Sequence, residues 1–185
     1  MKNKKPTIHK ITTVAKSRLF TVEALDLEFS NGVKTQYERI ASRGPGAVLI
    51  VPVLDDDTVL LIREYAGGTD RYELAFPKGK VEPNEDIMDA ANREIMEEVG
   101  YESAKLTLLK PISLAPGYMG HITNIILAEA LSERREEGDE PEEIEVVPWK
   151  ISKLDELIDR DDFSEGRSVA ALYLLQNYLR KKHGK

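Results

Sequence analysis

The fold is decided by the stretch Gly79 to Tyr101, GKVEPNEDIMDAANREIMEEVGY. Apolar residues recur at every fourth position from Ile87 to Val99, which predicts an amphipathic helix over residues 85–99. Asn84 is the predicted N-cap, and Gly100 supplies the stop that ends the helix. We expect this helix to carry the chemistry of the protein.

Three carboxylates of the stretch share one face of the predicted helix. Glu94, Glu97 and Glu98 have the i, i+3, i+4 spacing of neighbours on a helix surface. Like charges at this spacing are mildly destabilising unless a cation lies among them, and hard oxygen ligands suit Mg²⁺ or Mn²⁺. On spacing alone, a solvated acidic face is the commoner explanation, so the wider pattern has to decide.

The wider pattern resembles the Nudix box, which is a glycine, five residues, Glu, seven residues and then Arg-Glu-aliphatic-any-Glu-Glu-any-Gly-aliphatic. The matching residues are Gly79, Glu85, Arg93, Glu94, Ile95, Glu97, Glu98 and Gly100. Tyr101 departs from the pattern, because an aliphatic residue is usual at that packing position. The resemblance implies an α/β fold, a Nudix-type α/β/α sandwich, and a pyrophosphohydrolase acting on phosphorus-containing anhydrides.

The resemblance also implies a role for each polar residue of the box. Glu94 and Glu98 would ligate metal, with Mg²⁺ or Mn²⁺ as the cofactor. Glu97 would ligate a further metal or handle the attacking water, and Arg93 would orient the glutamates. The residues themselves agree with this, because Arg93 and Glu97 lie i, i+4 and can pair.

Features outside the box resemble the ADP-ribose pyrophosphatase branch of this superfamily, and within it the bacterial ADP compounds hydrolases. They are the segments Leu61–Tyr65, Tyr72–Gly79 and Leu114–Tyr118, with Pro116 fifteen residues after Tyr101. That proline spacing accompanies ADP-ribose hydrolysis in the family. The resemblance therefore implies a metal-dependent hydrolase that cleaves ADP-ribose, NADH or diadenosine triphosphate to AMP and a phosphorylated remainder.

An acidic segment near the C-terminal end, Gly138 to Ile144 (GDEPEEI), is similar to a loop of the ADP-ribose enzymes. In those enzymes the loop provides a general base, which lies late in the sequence, and an extra metal ligand. The resemblance implies these roles for Glu140 and Glu142. The longer segment Ser132–Glu143 also has the composition of an exposed loop. Solvated loop charge is common, so that alternative stays open for both glutamates.

Several residues are candidates for binding the substrate. They are Arg63, Glu73, Lys78, Arg39 and, with a weaker case, Arg43. Arginine binds a diphosphate as a fork and lysine as a point charge, although surface cations are more often only solvated. Lys78 stands where the family usually has a small apolar residue, and Ala66 stands where it usually has arginine. We therefore expect recognition of the phosphates to differ from that of the ADP-ribose enzymes.

The chain is predicted to contain an N-terminal antiparallel β arm, residues 1–45, and a Nudix domain, residues 46–185. Apolar and polar residues alternate from Ser17 to Ile40 around the turn dipeptide Asn31-Gly32, which predicts a hairpin. Such an arm is too small to bury its own face, and in relatives it is exchanged between subunits. We expect a homodimer in which the arm is the dimerisation element.

The remaining elements follow from hydrophobic patterning. Continuous apolar runs at Ala47–Leu54 and Thr58–Arg63 predict two buried strands joined by a turn. Further strands are predicted at Leu106–Leu114, Thr123–Ala130 and Ile144–Val147, and helices at Lys153–Asp159 and Ser168–Arg180.

Length and charge limit the remaining choices. The 185 residues suffice for one sizeable core. A net charge of −7 gives no general attraction to nucleic acid or to an anionic membrane, so we expect neither as a partner. The absence of cysteine excludes disulfides, thiolate catalysis and zinc–thiolate sites, and a cytoplasmic location is expected.

Three alternatives to the ADP-linked substrate stay open. The box indicates cleavage of a pyrophosphate but does not indicate which nucleobase the substrate carries, so a GDP-sugar pyrophosphohydrolase fits it too. A non-catalytic ADP-ribose-sensing Nudix domain is the alternative outside enzymes, although such domains tend to lose box glutamates and this chain keeps them. RNA 5′-end processing is disfavoured by the acidic balance.

Overall fold

The computed structural model of the protein describes residues 4–42, 44–138, 140–182 and 184. The chain divides into two compact units. The first unit contains residues 1–43 and 113–121, and the second contains residues 44–112 and 122–185. Arg43, the weakest of the substrate-binding candidates, lies outside the described residues.

The first unit contains a three-stranded antiparallel sheet in the order β1-β2-β3. Its strands are β1 (Thr7–Lys16), β2 (Thr21–Glu28) and β3 (Lys34–Ile40). The predicted hairpin is confirmed, because β2 pairs with β3 and Gly32 has the left-handed φ of 81° that this turn requires. Strand β1 was not predicted, since all ten of its residues are exposed and their sequence shows no buried face.

The same unit includes the predicted turn around Pro116. The backbone N–H groups of Tyr118 and Met119 both donate to the carbonyl of Ala115, at 3.0 and 2.8 Å. The carbonyl of Tyr118 then accepts from the N–H of Ile40 at 2.8 Å, which joins the turn to the end of β3. The turn is thus a fixed part of the arm unit.

The second unit is built on a seven-stranded sheet whose main path is β10-β5-β4-β9-β8, with β6 paired to β5 and β7 paired to β4. Its strands are β4 (Ala47–Asp55), β5 (Thr58–Ala66), β6 (Arg71–Ala75), β7 (Lys78–Lys80), β8 (Tyr101–Ser113), β9 (Ile122–Glu133) and β10 (Glu145–Lys150). The sheet is mixed, because β4 runs antiparallel to β5 and parallel to β9. The five longer strands were predicted, and the short β6 and β7 were not.

Helices cover both faces of this sheet. They are α1 (Ile87–Glu98), α2 (Leu154–Ile158), which follows a 3-10 turn, and α3 (Gly166–Lys182). Successive residues of β4 point to opposite faces, so Val48 belongs to the core with α1 and Leu49 to the core with α2 and α3. The predicted α/β/α sandwich is confirmed. No helix in the described ranges has the length and apolar character needed to cross a membrane.

Helix α1 begins two residues later than its pattern predicts. The N-cap is Asp86, whose side chain accepts a hydrogen bond from the N–H of Met88 at 2.8 Å, so the prediction of Asn84 was wrong. Asn84 instead has a left-handed φ of 69° in the preceding turn. Gly100 ends the helix as predicted, with a φ of 82° and its N–H donating to the carbonyl of Ile95.

Candidate active site

The helix α1 and the acidic loop before β10 line one cavity of about 390 Å³. Its carboxylates include the three that the helix periodicity placed together, Glu94, Glu97 and Glu98, and both glutamates of the acidic segment, Glu140 and Glu142. All of these side chains belong to the second unit. The structure therefore brings together every residue that the sequence proposed as a metal ligand or general base.

The backbone of the acidic loop passes close to helix α1 at Gly138. A Cβ placed on Gly138 would be in van der Waals contact with the Cβ of Glu97, at 3.5 Å. A side chain at Gly138 would therefore extend toward the catalytic helix, and glycine leaves that space open. This contact places the start of the acidic segment beside the box carboxylates.

Strand β7 forms the floor beneath Glu94 and Glu98. The carboxylate of Glu98 accepts a hydrogen bond from the backbone N–H of Lys78 at 2.8 Å. A Cβ placed on Gly79 would overlap the carboxyl group of Glu94. The box glycine thus gives the Glu94 carboxylate the space that any side chain would occupy, so both carboxylates lie against one short strand.

Arg93 donates hydrogen bonds to three carboxylates of the box, those of Glu85, Glu94 and Glu97. Its Nη1 donates to Glu94 at 2.8 Å and to Glu97 at 3.1 Å. Its Nε donates to Glu85 at 2.9 Å, and its Nη2 donates to the backbone carbonyl of Lys80 at 2.9 Å. These bonds raise the pKa of Arg93 above its ordinary value, with the bond to Glu85 contributing most. These hydrogen bonds agree with the orienting role predicted for Arg93, which stays a prediction.

Glu98 is the most buried of the box carboxylates, at 4% exposed. The pKa of Glu98 is raised to about 8, mainly by burial and to a smaller extent by the neighbouring carboxylates of Glu94 and Glu64, while the charge and backbone N–H of Lys78 lower it. A carboxylate in such a place is stabilised in its charged form when a cation lies beside it. The buried carboxylate of Glu98 therefore favours the binding of a cation at this site.

A divalent metal fits the residues that are present. The donors are hard carboxylate oxygens, and the missing side chain of Gly79 leaves room for Glu94. The pKa of Glu98 stays raised although Lys78 lies nearby, so a further cation would stabilise its charged form. Within the part of the chain that the structure describes, no three acidic or histidine side chains already form a metal-ligand group. Arg93 holds two of the carboxylates, so metal binding requires them to turn toward the ion.

Glu64, which the sequence did not single out, joins the site through Lys78. The ammonium of Lys78 forms an ion pair with Glu64 on β5. Strand alternation explains why Glu64 faces the site although its neighbour Arg63 does not. The sequence signal was the Leu61–Tyr65 segment, in which alternate residues face opposite sides of the sheet.

Two of the substrate-binding candidates are engaged elsewhere in the second unit. Arg63 donates to Asp162 at 2.7 Å and to Glu145 at 3.0 Å. Glu73 is 6% exposed and accepts a hydrogen bond from Arg71 at 2.8 Å. These ion pairs would have to open before either residue could bind a ligand, so their substrate roles stay predictions.

Arg39 lies on β3 of the first unit, where its Nε donates to Glu23 of β2 at 2.9 Å. The two side chains form a partly exposed cross-strand ion pair, and such pairs contribute little to stability. Its proposed contact with substrate stays a prediction.

Two family descriptions match the chain. A NUDIX domain matches residues 44–172, and a NudE-type Nudix hydrolase N-terminal domain matches residues 6–39. The chain belongs to the Nudix hydrolase family. The family match shows a pyrophosphohydrolase, and the chain keeps the box glutamates Glu85, Glu94, Glu97 and Glu98. Nudix hydrolases generally need divalent metal ions.

Relatives of this Nudix hydrolase match almost its whole length. It is 49% identical to the ADP compounds hydrolase NudE of Escherichia coli K12, over 95% of this chain and 94% of the relative. It is 30% identical to the ADP-ribose pyrophosphatase of Bacillus subtilis 168, over 89% and 91%. A crystal structure of an ADP compounds hydrolase superposes with a TM-score of 0.92 at 48% identity, covering 98% of both chains. The resemblance found in the sequence is confirmed.

Metal binding to this enzyme is expected to weaken as the pH falls below about 8. Glu98 is an expected metal ligand, and below that pKa a proton occupies its carboxylate. A metal that binds this carboxylate must displace the proton, so we expect the affinity to fall by up to about tenfold per pH unit. Mn²⁺ titration of the substrate-free protein, followed by the signal of free Mn²⁺, measures this. The variant Glu98→Gln is the control, because it should bind Mn²⁺ more weakly and lose this part of the pH dependence. Equal wild-type affinities on both sides of the pKa would contradict the assignment.

Proposed function

We propose that this Nudix hydrolase cleaves the diphosphate bond of ADP-linked small molecules, releasing AMP and a phosphorylated remainder such as ribose 5-phosphate. The observation that supports this substrate class is the likeness over nearly the whole chain to relatives named for ADP compounds and ADP-ribose. The Leu114–Tyr118 segment with Pro116 supports it independently from the sequence.

In the proposed site, Glu94 and Glu98 hold Mg²⁺ or Mn²⁺, with Glu97 and Glu142 as further ligands. The bound metal would neutralise charge on the diphosphate oxygens and lower the pKa of the attacking water. Arg93 is proposed to orient the glutamates, since in the structure it donates hydrogen bonds to Glu94 and Glu97.

The chain offers two groups to accept the proton of the attacking water. Glu140 lies on the acidic loop and Glu97 on the helix, and both line the same cavity. Attack of the water oxygen on one phosphorus breaks the bond from that phosphorus to the bridging oxygen, which leaves with the other phosphate. Either carboxylate can take the proton that the water loses.

Lys78 is proposed to bind a phosphate oxygen. Its ammonium is held by Glu64 beside Glu98, so it is already in the site when a ligand arrives. Lysine binds a phosphate as a point charge, whereas arginine binds it with two N–H groups. The positive charge of Lys78 would replace that of the arginine which the family usually has at position 66, where this chain has alanine.

The proposed assembly is a homodimer formed through the β arm. Ile8, Ile11 and Val14 of β1 are each about half exposed, which is unusual for apolar side chains in a strand. A second copy of the chain would cover them, and sedimentation equilibrium measures whether it does. A cytoplasmic location is proposed as the default, since the sequence has no cysteine framework that would mark an oxidising compartment.

ADP-linked compounds are expected to be preferred over GDP-linked ones. The test is hydrolysis of ADP-ribose, NADH, diadenosine triphosphate and GDP-mannose in ¹⁸O-water, with the label located in the products by mass spectrometry. We expect kcat/KM for ADP-ribose to exceed that for GDP-mannose by about tenfold or more, equal to about 1.4 kcal/mol of transition-state binding. A tenfold preference for GDP-mannose would overturn the substrate class and leave the Nudix chemistry standing.

A further inference from the structure

One link between the acidic loop and the rest of the domain is made by a side chain that the proposed chemistry does not use. The hydroxyl of Tyr72 on β6 donates a hydrogen bond to the Oε1 atom of Glu142 at 2.8 Å, across 70 residues of sequence. Glu142 lines the same cavity as Glu97 and Glu98. We propose that Tyr72 is a positioning residue that holds Glu142 at this cavity. The proposal rests on the proposed function, which makes Glu142 a working carboxylate.

The phenol is held in place by its own hairpin. The ring of Tyr72 packs edge to face against the ring of Tyr65, with centroids 5.7 Å apart and an interplanar angle of 67°. The hydroxyl of Tyr65 makes a separate hydrogen bond, to Asp70 in the β5–β6 turn, at 2.6 Å. A tyrosine has only two side-chain torsions to the ring, so its hydroxyl is presented at a defined point with little entropy to lose.

The loop is anchored at its other end by the catalytic helix. The N–H of Arg134 donates to the carbonyl of Gly100 at 3.0 Å, and the N–H of Glu136 donates to the carbonyl of Met96 at 3.2 Å. The carbonyl of Gly100 lies just after α1, and that of Met96 belongs to the last turn of α1, where carbonyls have no partner within the helix. With Tyr72 at the far end, the segment from Arg134 to Glu142 is tied at two places.

A neutral donor suits the role proposed for Glu142. Tyr72 occupies one carboxylate oxygen and leaves the negative charge and the second oxygen for a cation or a proton. Glu73 provides the contrast, because it is held by the guanidinium of Arg71, which neutralises it. Neutral partners of this kind orient metal ligands without competing for their charge.

The bond is separable from folding, which makes it testable. Tyr72 is 48% exposed, so removing its hydroxyl leaves no buried polar group without a partner. Tyr72→Phe keeps the ring and its contact with Tyr65. Tyr65→Phe is the matched control, because it removes the same group from the adjacent tyrosine, whose hydroxyl bonds Asp70 and not the loop.

The experiment compares the full-length wild type with both variants in two measurements. Hydrogen exchange of the metal-free proteins, read on the peptide that covers residues 134–144, should be about fivefold faster in Tyr72→Phe and unchanged in Tyr65→Phe. With ADP-ribose and Mg²⁺, Tyr72→Phe should lower kcat about tenfold with KM within about twofold, while Tyr65→Phe stays within about twofold of wild type. In a Glu142→Gln background, Tyr72→Phe should have less than about a twofold further effect.

The outcomes distinguish this proposal from the proposed function. Equal exchange in the two variants would show that the Tyr72 hydroxyl does not hold the loop. Faster exchange in Tyr72→Phe together with wild-type kcat would show a bond that serves only the loop's structure, and this also overturns the proposal. In both cases wild-type turnover of ADP-ribose would persist. Failure of the proposed function would appear instead as absence of that turnover in the wild type.

Discussion

Glu98→Gln is expected to lower kcat with Mg²⁺ by a factor on the order of 10³, because it removes the charge of a proposed metal ligand and keeps its shape. The amide oxygen can still accept the hydrogen bond that the carboxylate accepts from the N–H of Lys78. Steady-state kinetics with ADP-ribose measure the loss.

The same substitution should not destabilise the metal-free protein. Burial raises the pKa of Glu98 to about 8, so the charged carboxylate is disfavoured in the folded state. A neutral amide at this position carries no such penalty, and the melting temperature in EDTA should equal or exceed that of the wild type. Loss of activity and retention of stability would thus separate a functional residue from a structural one.

Asp89→Asn is the matched control for this prediction. Asp89 lies on the same helix, in its exposed first turn, and the change also replaces a carboxylate by an isosteric amide. Its activity should stay within about twofold of wild type, since exposed substitutions away from a site have small effects. Activity of Glu98→Gln within tenfold of wild type, with the fold intact, would show that the metal assignment is wrong.

The grouping of the box carboxylates was predictable because helix geometry is local. Residues spaced i, i+3, i+4 share a face whatever the rest of the chain does, and Glu94, Glu97 and Glu98 do line one cavity. The helix start was less predictable. Asn84 and Asp86 are both good capping residues, and the turn that puts Asn84 at a φ of 69° leaves the capping position to Asp86.

The short and exposed strands could not be predicted from burial patterns. Strand β7 has only three residues, so no periodicity can be read from it, yet it is the floor under Glu94 and Glu98. Strand β1 is exposed along its whole length, and hydrophobic alternation marks only strands with one buried face. Both strands exist because neighbouring strands offer them backbone partners.

The partners of the site residues depend on tertiary pairing. Lys78 was a candidate cation in the sequence, but its ion pair with Glu64 arises from the meeting of β5 with the segment before the box. Arg63 was a candidate for phosphate binding, and its bonds to Asp162 and Glu145 join residues 99 and 82 positions away. Composition and spacing carry no information about such distant pairs.

Gly79→Ala is expected to lower kcat/KM by a factor on the order of 10² while the fold stays intact. A methyl group at this position would overlap the carboxyl group of Glu94. That carboxyl is the far end of a flexible side chain, so it can move aside without displacing the backbone. Glu94, a proposed metal ligand, would therefore leave its position against β7, although helix α1 and strand β7 stay folded.

The measurements for Gly79→Ala are Mn²⁺ binding, turnover of ADP-ribose and the melting temperature in EDTA. Mn²⁺ affinity and turnover should fall together, while the free energy of unfolding changes by less than about 1 kcal/mol. Gly67→Ala is the control, because a Cβ there meets nothing within 4 Å. Gly79 has no left-handed φ, so backbone strain cannot account for a loss of activity. Wild-type metal affinity in Gly79→Ala would show that Glu94 does not need its place against β7 to bind the ion.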